Sequence, residues 1–143
     1  MFEYFTRYFE FDFFLRVDDD YFVCLDRLLK ELPHRPKHGL YWGWLHCDQE
    51  GMIRIDEGFM ILTHDLLKEI LDKRNTTLMC SMYGDQSVPL WMEDSRFRVT
   101  WYPDNTRIEH RAEGYLKGEY ASPEVCDTYI AVHRAYPKYM HRY

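Results

Sequence analysis

At 143 residues, with 46% hydrophobic and 29% charged side chains, the chain is long enough for one domain with a real core and too short for two. A formal net charge of −6, without a basic run, excludes a phosphate-backbone nucleic-acid binder, whose affinity comes from Lys and Arg neutralising phosphates. No apolar stretch approaches the roughly 20 residues that a membrane span requires, and Met1-Phe2-Glu3-Tyr4 lacks the charged-then-apolar pattern of a secretory leader.

Along the chain, Tyr4, Phe5, Tyr8, Phe9 and Phe11 fall close to one helical face, so residues 4–11 read as the end of a helix feeding a strand from about Asp12. Phe13, Phe14, Leu15 and Val17 are the aromatic and β-branched residues of a buried strand. Asp18, Asp19 and Asp20 cannot continue it into a core, so the strand is expected to stop at a solvent-reachable rim. Three adjacent carboxylates repel one another unless a cation sits among them, and hard divalent ions suit oxygen ligands. The plainer alternative is an acidic turn that caps the next helix. Val23, Leu25, Leu28, Leu29 and Leu32 predict an amphipathic helix from about Tyr21, stopped at Pro33 and Pro36. Strand, polar switch and helix make a βα unit, and in open α/β sheets ligands collect at the carboxyl ends of strands.

His34 and His38 lie in a polar loop and read as solvated turn residues. Residues 40–45 are expected to form the next strand, on which Tyr41, Trp42 and Trp44 offer a wall to a sugar face, or Trp42 and Trp44, pointing to one side, fill the core. Residues 57–62 read as a short buried strand, with Gly58 marking a bend or a close approach, and Thr63 as the cap of a helix faced by Leu66, Leu67, Ile70 and Leu71. Helices are expected over 77–83 and from Ser87, where Pro89 is tolerated in the first turn, and Asp85 then lies at or just before a helix N-terminus. Residues 96–102 alternate as a strand, 106–122 are too polar to assign, and 128–133 read as a strand ending at His133. Cys24, Cys47, Cys80 and Cys126 match no close-spaced zinc pattern and are either core thiols or two disulfides. Asn75-Thr76-Thr77 is a glycosylation sequon.

In this order the motifs resemble the β-1,3-glycosyltransferases of glycosyltransferase family 31, most closely the β-1,3-galactosyltransferase branch, from about Phe11 to His133. Leu15-Arg16-Val17-Asp18-Asp19-Asp20 looks like the family's strand and DxD motif. Tyr41-Trp42-Gly43 is similar to the Tyr-Trp-Gly of the galactosyltransferase that extends the proteoglycan linker. Cys47-Asp48 and Glu57-Gly58-Phe59-Met60-Ile61-Leu62-Thr63 resemble that branch's Cys-Asp and glycine-rich elements. Gly84-Asp85-Gln86 falls where the family has Glu-Asp-Val, and Cys126 with Tyr129-Ile130-Ala131-Val132-His133 resembles its closing Cys and histidine-ended strand.

The resemblance implies an α/β, GT-A-like nucleotide-sugar transferase fold, incomplete at its N-terminus, with residues 1–143 as the C-terminal part of a catalytic domain. It implies a Golgi enzyme that inverts the anomeric carbon as it moves galactose, or an N-acetylhexosamine, from a UDP-sugar to a glycan or glycoprotein hydroxyl in β-1,3 linkage. Asp18, Asp19 and Asp20 would meet the metal-bound donor, with Asp18, Asp20 and His133 as ligands of Mn²⁺. Asp85 would be the catalytic base, and Tyr41, Trp42, Gly43 and Gly58 would line the substrate. A membrane association would run through an anchor that this chain does not carry. Gly84 in place of the family's glutamate, Glu57 in place of a glycine, Pro89 in place of a glycine and the absent first strands point to the alternative, a truncated, non-catalytic glycan-binding relative. A metal-dependent phosphate-ester hydrolase using the three aspartates is a further reading, but it leaves the later motifs unexplained.

Overall fold

A computed structural model of the chain describes residues 1–47, 53–75, 87–93, 98–110, 122 and 124–135. The elements run α1 (Phe2–Tyr8), β1 (Phe13–Val17), β2 (Phe22–Val23), α2 (Leu25–Glu31), a 3₁₀ turn (Leu32–His34), β3 (Leu40–Cys47), β4 (Ile53–Thr63), α3 (His64–Lys73), α4 (Ser87–Met92), β5 (Thr100–Pro103), β6 (Ile108–Glu109), α5 (Val125–Thr128) and β7 (Ala131–Val132). The class is mixed α/β, as expected.

The larger sheet has the order β1-β4-β3-β5. Only the β3–β5 pairing is parallel; β1 and β3 both run antiparallel to β4. Strand direction is set by tertiary pairing, because a buried run of apolar residues reads alike in either direction. β3 and β4 carry side chains to both faces. Tyr41, Ile55, Met60 and Leu62 join Leu66, Leu67 and Ile70 of α3 in one core, while Trp42, Phe59 and Ile61 join Leu28, Ile108 and Ile130 in another. The period of two that places Tyr41 and Trp42 in different cores is the strand pleat itself.

The smaller sheet, β2-β7-β6, corrects two expected boundaries. Phe22 and Val23 pair with Val132 and Ala131 instead of opening a helix at Tyr21, and α2 begins at Leu25. Residues 125–128 form α5, so the expected strand over 128–133 shrinks to Ala131–Val132. A disulfide joins Cys24 to Cys126, 5.5 Å apart at Cα, immediately beside this sheet. Cys47 is a free, exposed thiol.

Thr63 does cap α3 by position, but its Oγ1 accepts a hydrogen bond from Leu40 N at 3.0 Å and makes none to its own helix. The capping oxygen therefore ties β4 to β3. Of the expected strand over 96–102, residues 96 and 97 lie outside the described residues and residues 100–102 fall in β5, while β6 lies in the stretch too polar to assign. The expected helix over 77–83, together with Asp85 and Cys80, lies outside the described residues.

Candidate functional site

β1 ends as expected. Val17 is 41% exposed, Asp18 and Asp19 are exposed, and the chain turns there onto the smaller sheet. Asp18 N–H donates to Gly58 O at 2.9 Å, which fixes the rim against β4. The Asp18 carboxylate faces Arg16 Nη2 at 3.3 Å, and the same guanidinium lies 3.4 Å from Glu57.

Asp20 points the other way. Its Oδ2 is 3.2 Å from His133 Nε2, and its backbone oxygen accepts from Ala135 N–H at 2.8 Å. Two residues from opposite ends of the chain are thus locked together by the β2–β7 pairing, with Arg134, between them and Ala135, in the left-handed region at φ 60°. His133 Nδ1 is buried with no hydrogen-bond partner among the described residues. A carboxylate oxygen and an imidazole nitrogen 3.2 Å apart have the spacing of neighbouring ligands on one ion with bonds of about 2.1 Å. Asp18, Asp20 and His133 do not converge as a set of three: the group of donors lying within 4.8 Å of one another among the described residues is His46, Asp56 and His110.

That second group is built by three elements. His46 comes from β3, just beyond a register irregularity between Gly43 and Leu45; Asp56 comes from β4; His110 follows β6. Bulges re-aim side chains, and here the shift sets His46 Nε2 at 2.6 Å from Asp56 Oδ2. Gly58 N–H holds the other carboxylate oxygen at 2.8 Å. His110 Nδ1 lies 3.7 Å from Asp56 Oδ2 and 3.1 Å from the Tyr21 hydroxyl. The His110 ring stacks on His133, with centroids 4.4 Å apart, and Tyr21 stacks on His133 at 4.7 Å. Trp44 closes the far side, 4.7 Å from His110 and 4.3 Å from His46.

The titrations follow from this packing. Burial chiefly pushes His110 down to about 4; Asp56 opposes the shift, and His133, His46 and Arg134 add to it. His110 is consequently a neutral imidazole at pH 7, with one ring nitrogen free to accept. Burial acts to raise Asp56, but the His46 hydrogen bond, the charge of His110 and the Gly58 N–H outweigh it and hold the carboxyl below its ordinary value. Burial, followed by Asp56, Asp20 and Asp18, drives the Tyr21 phenol upward, so it remains a donor.

Gly58 is placed where a close approach was expected. An added Cβ there would lie 2.7 Å from Asp56 Oδ1 and 2.8 Å from the Tyr21 ring. Tyr41 and Trp42 are completely buried, and an added Cβ at Gly43 would meet Ile55 at 2.3 Å and the Phe59 oxygen at 2.7 Å. In this structure those three residues are core and present no face to a sugar; Trp42 Nε1 instead donates to the buried Asp104 at 3.0 Å. Of the aromatic wall, only Trp44 reaches the cluster. His34 and His38 are both exposed, His34 at the end of the 3₁₀ turn and His38 in the bend that follows.

Sequence reasoning missed Tyr21, His46, Asp56 and His110. Tyr21 adjoins the three aspartates and Asp56 adjoins Glu57-Gly58, an adjacency that is the signal available for them, whereas His110 sits in the unassigned polar stretch. Among the described residues no helix is long and apolar enough to cross a membrane. The sequence matches no protein-family model and no curated protein.

Proposed function

We propose that the chain carries part of the donor site of a metal-dependent, inverting glycosyltransferase of GT-A type. In this reading it moves galactose, or an N-acetylhexosamine, from a UDP-sugar to a glycan hydroxyl in the Golgi lumen. The observation that carries the reading is the contact of Asp20 with His133, the two residues that the family resemblance independently assigns as metal ligands. The Cys24–Cys126 disulfide agrees with an oxidising compartment.

The donor set fits the group: one carboxylate oxygen and one imidazole nitrogen suit Mn²⁺, and the exposed Asp18 and Asp19 leave the rim open to solvent. When bound, the ion supplies charge neutralisation for a diphosphate leaving group. Asp20 and His133 would hold it, and the stacking of Tyr21 and His110 against His133 fixes the plane of that imidazole. Asp85, assigned by resemblance, takes the proton of the attacking hydroxyl.

Binding of UDP to the chain, followed by calorimetry with Mn²⁺ and with EDTA, tests this reading. Binding is expected only with Mn²⁺ and is expected to be lost in Asp20→Ala and His133→Ala. Asp85→Asn is expected to keep UDP binding while removing transfer from UDP-galactose. UDP affinity that is indifferent to EDTA and to both ligand substitutions would overturn the assignment.

A further inference from the structure

The convergence of His46, Asp56 and His110 is not used by the nucleotide-sugar reading. Their convergence is built from three separate elements, with each side chain held by something other than its two companions. Asp56 is held by Gly58 N–H through Oδ1 at 2.8 Å, which leaves Oδ2 turned toward both histidines. His110 is clamped between Trp44 and His133, and His46 packs edge-on against Trp44 at 4.3 Å. Ordinary hydrogen bonding accounts for the 2.6 Å contact between His46 and Asp56, but not for the 3.7 Å approach of His110 Nδ1 to the same oxygen. That ring nitrogen instead faces the Tyr21 hydroxyl at 3.1 Å, and the hydroxyl has a second acceptor within reach, Asp56 Oδ1 at 3.5 Å. Tyr21 can therefore turn from one acceptor to the other and free the imidazole lone pair.

We infer that His46, Asp56 and His110 form a second metal site, distinct from the Asp20–His133 pair, that takes a borderline transition ion such as Zn²⁺ or Co²⁺. Two imidazole nitrogens and one carboxylate oxygen are the donor set that such ions prefer, whereas Mg²⁺ and Ca²⁺ favour oxygen alone. Three protein ligands leave a coordination position open. His46 and Asp56 are 22% and 17% exposed at their side chains, and His110 is 19% exposed, so an ion can enter without unfolding the site. Gly58, Trp44 and Tyr21 then act as the outer contacts that orient the ligands.

Co²⁺ is the probe of choice, because its visible absorption reports coordination and its binding quenches a tryptophan as close as Trp44. The full chain is titrated with Co²⁺ alone, without nucleotide, as the unsubstituted protein and as His46→Gln, His110→Gln and Asp20→Asn, each checked by far-ultraviolet circular dichroism. The visible band is expected to appear in the unsubstituted protein and in Asp20→Asn, with affinity lowered roughly 10-fold or more in both histidine variants. In the unsubstituted protein, Co²⁺ is also expected to shift the ring resonances of His46 and His110, a readout that needs no variant. Absence of Co²⁺ binding, a band that survives both histidine substitutions, or a band lost equally in Asp20→Asn would each overturn a separate site. Because this titration omits UDP, failure here and failure of the donor-site reading are distinguishable.

Discussion

The two sheets reach stability by different means. The larger one has strands of five, eleven, eight and four residues, and its central pair buries Leu40, Tyr41, Trp42, Phe59 and Leu62 completely. Each such side chain contributes on the order of 1.5–3 kcal/mol by leaving water, so the sheet is sustained by its own core. The smaller sheet has three strands, of which β2, β6 and β7 contain two residues each, too few for an independently stable ladder. What supplements it is the Cys24–Cys126 bond, closing a loop with a sequence separation of 102. A loop of that length removes conformational freedom from the unfolded chain worth about 4–5 kcal/mol in the chain-entropy account. The site residues lie along the seam: His46 and Asp56 stand on the self-sustaining sheet, His110 and His133 on or beside the cross-linked one.

Breaking the cross-link is expected to have the largest effect. The Cys24→Ser/Cys126→Ser double variant should lose about 2–5 kcal/mol in urea unfolding. Hydrogen exchange should show the loss unevenly, with the amides of Ala131 and His133 losing protection while Trp42 and Ile61 keep theirs. Equal loss in both regions would mean that the two sheets form one cooperative unit and would remove the contrast.

Gly43→Ala attacks the other side. Its Cβ would lie 2.7 Å from the Phe59 backbone oxygen, an atom that cannot yield without moving β4. A destabilisation of about 1–3 kcal/mol is expected, with protection lost across β3 and β4. A midpoint within experimental error of the parent would show that the strand spacing is softer than the contact implies.

Acid acts on the seam itself. In the metal-free protein His110 is held at about 4, below the 6.5 of an unperturbed histidine. Between these values the unfolded chain binds the extra proton and the folded one does not, so stability is fully present above about pH 6.5 and falls as the pH drops toward 4. Asp56, held below its ordinary value, extends the loss to still lower pH. His110→Gln should flatten the upper part of the curve in EDTA, whereas an unchanged slope between pH 6.5 and 4 would assign the acid sensitivity elsewhere.

The self-sustaining region was the legible one. β1, its abrupt end at Asp18, the pair β3 and β4, and the helix after Thr63 all follow from apolar runs and their period. The two-residue strands were not legible, because two residues carry no period, and Phe22 and Val23 fit a helical face as readily as an edge. The meeting of Asp20 with His133 was expected only through resemblance, since no local pattern joins such distant positions. His46, Asp56 and His110 escaped for a related reason: each is unremarkable in its own segment, and only the β3 irregularity and the return of the chain through β6 bring them together. The strand pattern leaves Trp42 open to either a sugar-facing or a core role and offers Tyr41 to a sugar face, and the complete burial of both places them in the core.

The Cys24–Cys126 bond also bears on the order in which the molecule can be made. During synthesis Cys24, Cys47 and Cys80 all emerge before Cys126, and at roughly 5–20 residues per second the partner of Cys24 arrives several seconds late. In an oxidising compartment Cys24 would meet two earlier thiols, and a bond to either would keep Phe22 and Val23 from meeting β7. Any such bond must be exchanged by thiolate attack once Cys126 arrives. In such a compartment correct pairing would depend on delayed oxidation or on exchange, and without either Asp20 and His133 would be kept apart while the large sheet could still form.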